Sequence, residues 1–294
     1  MFKKYGFLGI ALIIFAEFIM LLKIEPFSTW YIPIIWFGYI LLIDSIIYAL
    51  KGNSLLSNRP RKFIVLMCVS INFWYLFEVF NYFLGGWKYF GLPESLIVAF
   101  AMGTLSFATI VPAVFETGEL VEQFHLFSKM HRKIKFLTNK LFVNILIVVG
   151  LIFIALPLVM VSPWMWILVW TGFVLLLDPI LYLFHNEKSL IMQARKGKYN
   201  TVISLFIAGY VCGFLWEFWN YWAGTGWVYT VPILENIKIF EIPAFGFLAY
   251  GAFAWELYVM YQFVRFLFSR TKFHGIAGIR TQVLASRRLS PRPS

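Results

Sequence analysis

The sequence predicts an all-α fold: a polytopic transmembrane helical bundle of about eight spans, arranged as two tandem parallel four-helix repeats. Three observations predict it. The 294-residue chain is 61% apolar and only 13% charged, against roughly 45–50% and about 25% in soluble domains. Its apolar residues fall into blocks, each near the ~20 residues a helix needs to cross ~30 Å of hydrocarbon. One ordered set of polar and aromatic residues also occurs twice.

The blocks lie at about 5–22, 29–50, 63–84, 96–116, 141–161, 163–184, 200–222 and 242–266. A transmembrane barrel would show ~10-residue alternating segments instead. The first block follows Lys3 and Lys4, carries Glu17 and lacks a small-residue cleavage site, so it reads as a retained helix. Pro93 and Pro243 stand where the fourth and eighth helices are expected to open, a normal first-turn use of proline. Pro112 and Pro179 fall inside spans and imply kinks.

The duplication is explicit. Residues 36–48, WFGYILLIDSIIY, return as WTGFVLLLDPILY from Trp170, an offset of 134. Glu78, Asn81 and Tyr82 return as Glu217, Asn220 and Tyr221 at an offset of 139. Gly86, Trp87 and Tyr89 return as Gly226, Trp227 and Tyr229, and Glu116 as Glu256, at an offset of 140. The expected division is 1–138 for the first repeat with its linker, 139–269 for the second, and 270–294 for a basic, disordered tail. An even number of spans per repeat gives both copies one orientation, related by an axis along the membrane normal. The linker at 117–140 mixes charge with apolar residues and is expected to form a short surface helix.

The net charge of +11 is a topology signal. With eight spans, the termini and three loops share one side, and they carry 22 of the 25 Lys and Arg; Lys23, Lys88 and Lys238 lie opposite. The positive-inside bias then puts both termini in the cytoplasm of a cell-membrane protein. The basic balance is met by anionic lipid headgroups rather than nucleic acid. Cys68 and Cys212 read as apolar fillers; neither they nor His125 and His131 make a metal pattern, and the sequence leaves any cofactor unknown.

Seven carboxylates lie in or at the edge of the spans: Glu17, Asp44, Glu78, Glu116, Asp178, Glu217 and Glu256. All but Glu17 form repeat-related pairs, and no Lys or Arg lies deep in a span to meet them. Even on insertion scales an Asp at a helix centre costs ~2.5–3.5 kcal/mol, so such groups face a cavity or a partner. Glu78, Glu217 and Glu256 are the candidate catalytic acids, with Asn81 and Asn220 at i+3 orienting the first two. Trp87, Tyr89, Trp227, Tyr229, Asp44, Asp178 and Glu116 are candidate substrate-binding residues. The alternative reading makes the acids helix–helix glue and the aromatics an interfacial belt.

The order of residues within each half resembles the lycopene cyclase domain of carotenoid synthesis. Asp44, Glu78, Gly86–Trp87–Tyr89 and Leu92–Pro93–Glu94 follow that order, as do Asp178, Glu217, Gly226–Trp227–Tyr229 and Ile242–Pro243. The family's Pro-x-Glu-Glu signature is reduced to Pro93–Glu94–Ser95 and becomes Pro243–Ala244–Phe245 in the second half. The resemblance implies a relative that handles isoprenoid or other lipid substrates. The expectation is therefore an aromatic-lined, acid-containing cavity between the repeats, acting on such a substrate by acid–base chemistry. A proton- or cation-coupled transporter and a non-catalytic membrane scaffold are the alternatives.

Overall fold

The computed structural model describes residues 1–127, 129–131, 133–134, 138–231 and 237–288, with side chains to residue 269. The long helices are α1 (Lys4–Leu22), α2 (Tyr31–Lys51), α4 (Pro60–Leu84), α5 (Leu96–Gln123), α6 (Lys140–Val159), α7 (Trp166–Leu183), α9 (Asn200–Trp222) and α11 (Tyr250–Arg288). Short helices α3 (Leu55–Asn58), α8 (Leu190–Lys196) and α10 (Ala244–Phe247) intervene, with strands β1 (Trp87–Phe90), β2 (Gly226–Tyr229), β3 (Lys238–Ile239) and β4 (Ile242–Pro243). Among the described residues, seven helices are long and apolar enough to cross a membrane: α1, α2, α4, α5, α6, α7 with its preceding turn, and α9. The fold is that of a multi-pass helical membrane protein.

Packing follows from small residues and aromatics. α1 lies on α2 and α6 on α7. A Cβ on Gly9 would stand 2.6 Å from the Gly38 carbonyl oxygen, and one on Gly150 would stand 2.4 Å from the Leu176 nitrogen. Only glycine lets these backbones approach so closely, as in other membrane helix pairs. α5 packs on α2 and α4, α11 packs on α7 and α9, and α5 meets α9. Between α2 and α9, Trp36 contacts Trp216 and Trp219 at 5.3 and 4.8 Å. Between α4 and α7, Phe77 contacts Trp170 at 5.3 Å. α1 and α6 stand on the outside, with Phe7, Leu21, Leu141 and Val148 exposed.

The sequence placed several boundaries differently. The eighth long helix starts at Tyr250 rather than near 242, because Pro243 sits in β4 and is followed by the single turn of α10. α5 carries the chain to Gln123, so its last two turns occupy the start of the expected linker helix. The backbone of α11 is helical to Arg288. Side chains from 270 and residues 289–294 lie outside the described set.

Candidate functional site

At the end of α4, Gly85 adopts φ +63° and turns the chain back into β1. Asn81 holds that turn: its Oδ1 accepts from the Gly86 and Trp87 amides at 2.9 and 3.0 Å, and its Nδ2 donates to the Trp87 carbonyl at 3.1 Å. The indoles of Trp87 and Trp74 thereby come within 3.1 and 3.0 Å of Glu78 Oε1, and the Tyr89 hydroxyl donates to the same oxygen at 2.5 Å.

The second half makes a matching arrangement. Asn220 Oδ1 accepts from the Trp227 amide at 2.8 Å and its Nδ2 donates to the Trp227 carbonyl at 2.7 Å. The Trp227 indole donates to the Tyr229 hydroxyl at 3.0 Å, and Tyr229 donates to Glu217 Oε1 at 2.7 Å. β1 and β2 then pair antiparallel, Trp87 opposite Tyr229 and Tyr89 opposite Trp227. Burial and the adjoining Glu78 and Glu217 carboxyls push the phenols of Tyr89 and Tyr229 well above their ordinary range, so both remain hydrogen-bond donors.

Beneath this ladder is a cavity of about 840 Å³. Five of its rings make an unbroken wall. Trp74 meets Trp87 at 5.7 Å, Trp87 meets Trp166 at 4.7 Å and Trp166 meets Trp170 at 5.2 Å. Trp170 meets Phe253 at 5.1 Å and Phe253 returns to Trp74 at 6.4 Å. The polar groups of the lining include two hydrogen-bonded pairs, Glu78 with Tyr89 and Tyr229 with Tyr250.

The candidate residues do not all share one place. Glu78, Trp87, Tyr89, Trp227 and Tyr229 line the cavity. Glu217 stands behind the lining, where its Oε1 also accepts from the Tyr250 hydroxyl at 2.5 Å and the Ile242 backbone adjoins its carboxyl. Asn81 reaches Glu78 only at 3.4 Å, and Asn220 serves the loop backbone, so both asparagines chiefly fix the turn. Glu256 lies one turn from Phe253, its Oε1 accepting from the Phe173 amide at 3.3 Å. Glu116 is fully buried and adjoins the Asp44 carboxyl.

Asp44 and Asp178 are not among the cavity residues; they stand late in α2 and α7 and face α3 and α8. Asp44 accepts from the Leu56 amide, Ser54 Oγ and the Tyr5 hydroxyl. Asp178 accepts from the Leu190 and Ile191 amides at 2.7 and 2.9 Å and from Ser189 Oγ at 3.2 Å. Glu17, the unpaired acid, accepts from Trp219 Nε1 at 3.1 Å and ties α1 to α9. Tyr250, Trp74, Trp166 and Trp170 are lining residues that the sequence did not single out. Trp170 could have been found, because it opens the repeated segment; Tyr250 has no counterpart in the first half, where Ile110 stands at the same offset.

Fold and site together define a class: a helical multi-pass membrane protein with an aromatic cavity served by carboxyl–phenol pairs. No protein-family model, no curated protein and no solved structure matches the chain.

Proposed function

We propose that the protein binds an elongated, largely apolar molecule of the lipid or isoprenoid class in the cavity and acts on it by acid–base chemistry. The observation that carries this reading is the Glu78 carboxyl at the wall of an 840 Å³ aromatic cavity. Its volume falls in the range of small-molecule sites, with few polar groups to orient a ligand. Glu78 would serve as the acid that meets the substrate, and Glu217 would act through Tyr229 and Tyr250. A carboxylic acid that meets the substrate can donate a proton, and the faces of Trp74, Trp87, Trp166 and Trp170 would shelter the positive charge that forms.

The proposed setting is an eight-span chain of two tandem four-helix repeats in the cell membrane, both termini cytoplasmic, with α11 as the eighth span. Matched hydrogen bonding around Asn81 and Asn220, and the antiparallel pairing of β1 with β2, support the duplication. The resemblance to the lycopene cyclase domain supports the substrate class.

The test is a mass-spectrometric inventory of apolar molecules that copurify with the full chain, followed by their conversion in membranes. A stoichiometric isoprenoid or lipid, retained by the native protein and changed on incubation only when Glu78 and Glu217 are present, is the expected result. Full conversion by both Glu78→Gln and Glu217→Gln would remove the acids from the reaction. Absence of any retained or added apolar ligand would remove the cavity.

A further inference from the structure

A second recess, of about 620 Å³, opens at the other end of the bundle from the β1–β2 ladder, among the basic loops. Lys133 and Thr138 reach it from the linker; Arg195, Lys196 and Lys198 reach it from the C-terminus of α8 and the turn beyond. The linker is held against α8 by the Ile134 amide, which donates to the Ala194 carbonyl, and by Gly197, where a Cβ would stand 2.6 Å from the His131 carbonyl oxygen. Four cationic side chains therefore border one space.

Their neutralisation is incomplete. Lys196 pairs with Glu187, which also faces Lys198, and Arg195 donates to the Tyr182 hydroxyl at 3.3 Å. Among the described residues no other carboxylate pairs with the four. At the same end of the bundle, Lys51 and Arg59 are matched by Glu119. Holding like charges together without counter-charge is unfavourable, so the recess has the electrostatics of an oxyanion site.

Its position selects the kind of oxyanion. Thr138 lines the recess, and α6 begins two residues later at Lys140. α6 is the most hydropathic of the apolar helices and one of the least covered by protein. Leu141, Ile145, Val148 and Ile152 follow a 4–3–4 spacing and are all exposed, making one apolar stripe along the helix. A charged head at Lys133–Lys198 and hydrocarbon tails along α6 match an amphiphile better than a free ion.

We propose that this recess binds the phosphate-bearing headgroup of an anionic lipid, with Lys133, Arg195 and Lys198 meeting the phosphate oxygens. The site is independent of the aromatic cavity. It would anchor the linker between the halves to the membrane surface.

The test is native mass spectrometry of the full chain in detergent, titrated separately with dioleoylphosphatidylglycerol, dioleoylphosphatidylcholine and inorganic phosphate. Tight retention of one phosphatidylglycerol, with weaker phosphatidylcholine and phosphate, is expected. Replacing Lys133, Arg195 and Lys198 together by Gln should weaken that binding on the order of a hundredfold. A charge-matched control, Lys4→Gln with Arg61→Gln and Lys188→Gln, should leave it intact, and Lys133→Arg with Lys198→Arg should retain it. Tight inorganic phosphate that is lost in the first variant would keep the site and assign it to free phosphate. Equal loss in the control, or unchanged binding in the first variant, would overturn the proposal.

Discussion

The Tyr250 hydroxyl lies 2.5 Å from Glu217 Oε1 and lines the cavity, whereas Glu217 does not. Glu78, which the Tyr89 hydroxyl meets in the same way, forms part of the lining itself. Two acids that are equivalent in the sequence are thus unequal in the site.

That inequality gives the first prediction. Tyr250→Phe removes one of the two donors to Glu217 Oε1 and leaves a buried carboxyl less satisfied, at a cost of about 1–3 kcal/mol. Thermal unfolding in detergent should register the loss. Under the proposed function, Tyr250→Phe should also slow conversion while Tyr82→Phe, an exposed site, leaves it unchanged. Equal effects of the two variants would argue against a route through Tyr250.

Asn81→Ala and Asn220→Ala should loosen the ladder rather than the helices. Each removes bonds that hold a strand to a helix end, worth roughly 1 kcal/mol apiece. Hydrogen exchange at 87–90 and 226–229 should accelerate in both variants, with the mid-helix amides of α4 and α9 unaffected.

Gly86→Ala should disturb the aromatic wall. A Cβ there would stand 2.1 Å from Trp166 Nε1, so the indole must move. Overpacking of this kind costs about 1–3 kcal/mol. Tryptophan fluorescence should shift, and retention of the copurifying ligand should fall.

Asp178→Ala strands three buried donors, the amides of Leu190 and Ile191 and the Ser189 hydroxyl. The loss should be about 3 kcal/mol, read as a lower melting temperature and faster proteolysis near α8. Conversion of a bound ligand by the folded fraction should persist, because Asp178 is not among the cavity residues.

The proposed topology has its own measurement. In a background with Cys68 and Cys212 replaced by Ala, Lys88→Cys should react with a membrane-impermeant maleimide in intact cells. Lys3→Cys should react only after permeabilisation. The reverse pattern would invert the orientation.

The long helices were legible because a membrane-crossing segment must be both apolar and about twenty residues long, and blocks such as 63–84 and 200–222 satisfy both. The stretch near 242 misled because β4 and α10 are also apolar, and hydropathy does not separate a helix from an irregular apolar segment. Glu78, Tyr89 and Tyr229 were legible through recurrence. The work of Asn81 and Asn220 was not: i+3 spacing puts each beside its Glu, but the reversal at Gly85 brings loop amides closer still. Tyr250 escaped notice because recurrence cannot reveal a residue present in only one half.

The strand pairing has a consequence for biogenesis. β1 ends at Phe90, and its partner starts at Gly226. During synthesis the first strand must wait, its edge unpaired, until more than a hundred further residues have been made and threaded into the bilayer. A nascent chain released before Tyr229 could carry every residue of the Glu78 cluster and still lack the clasp that closes it.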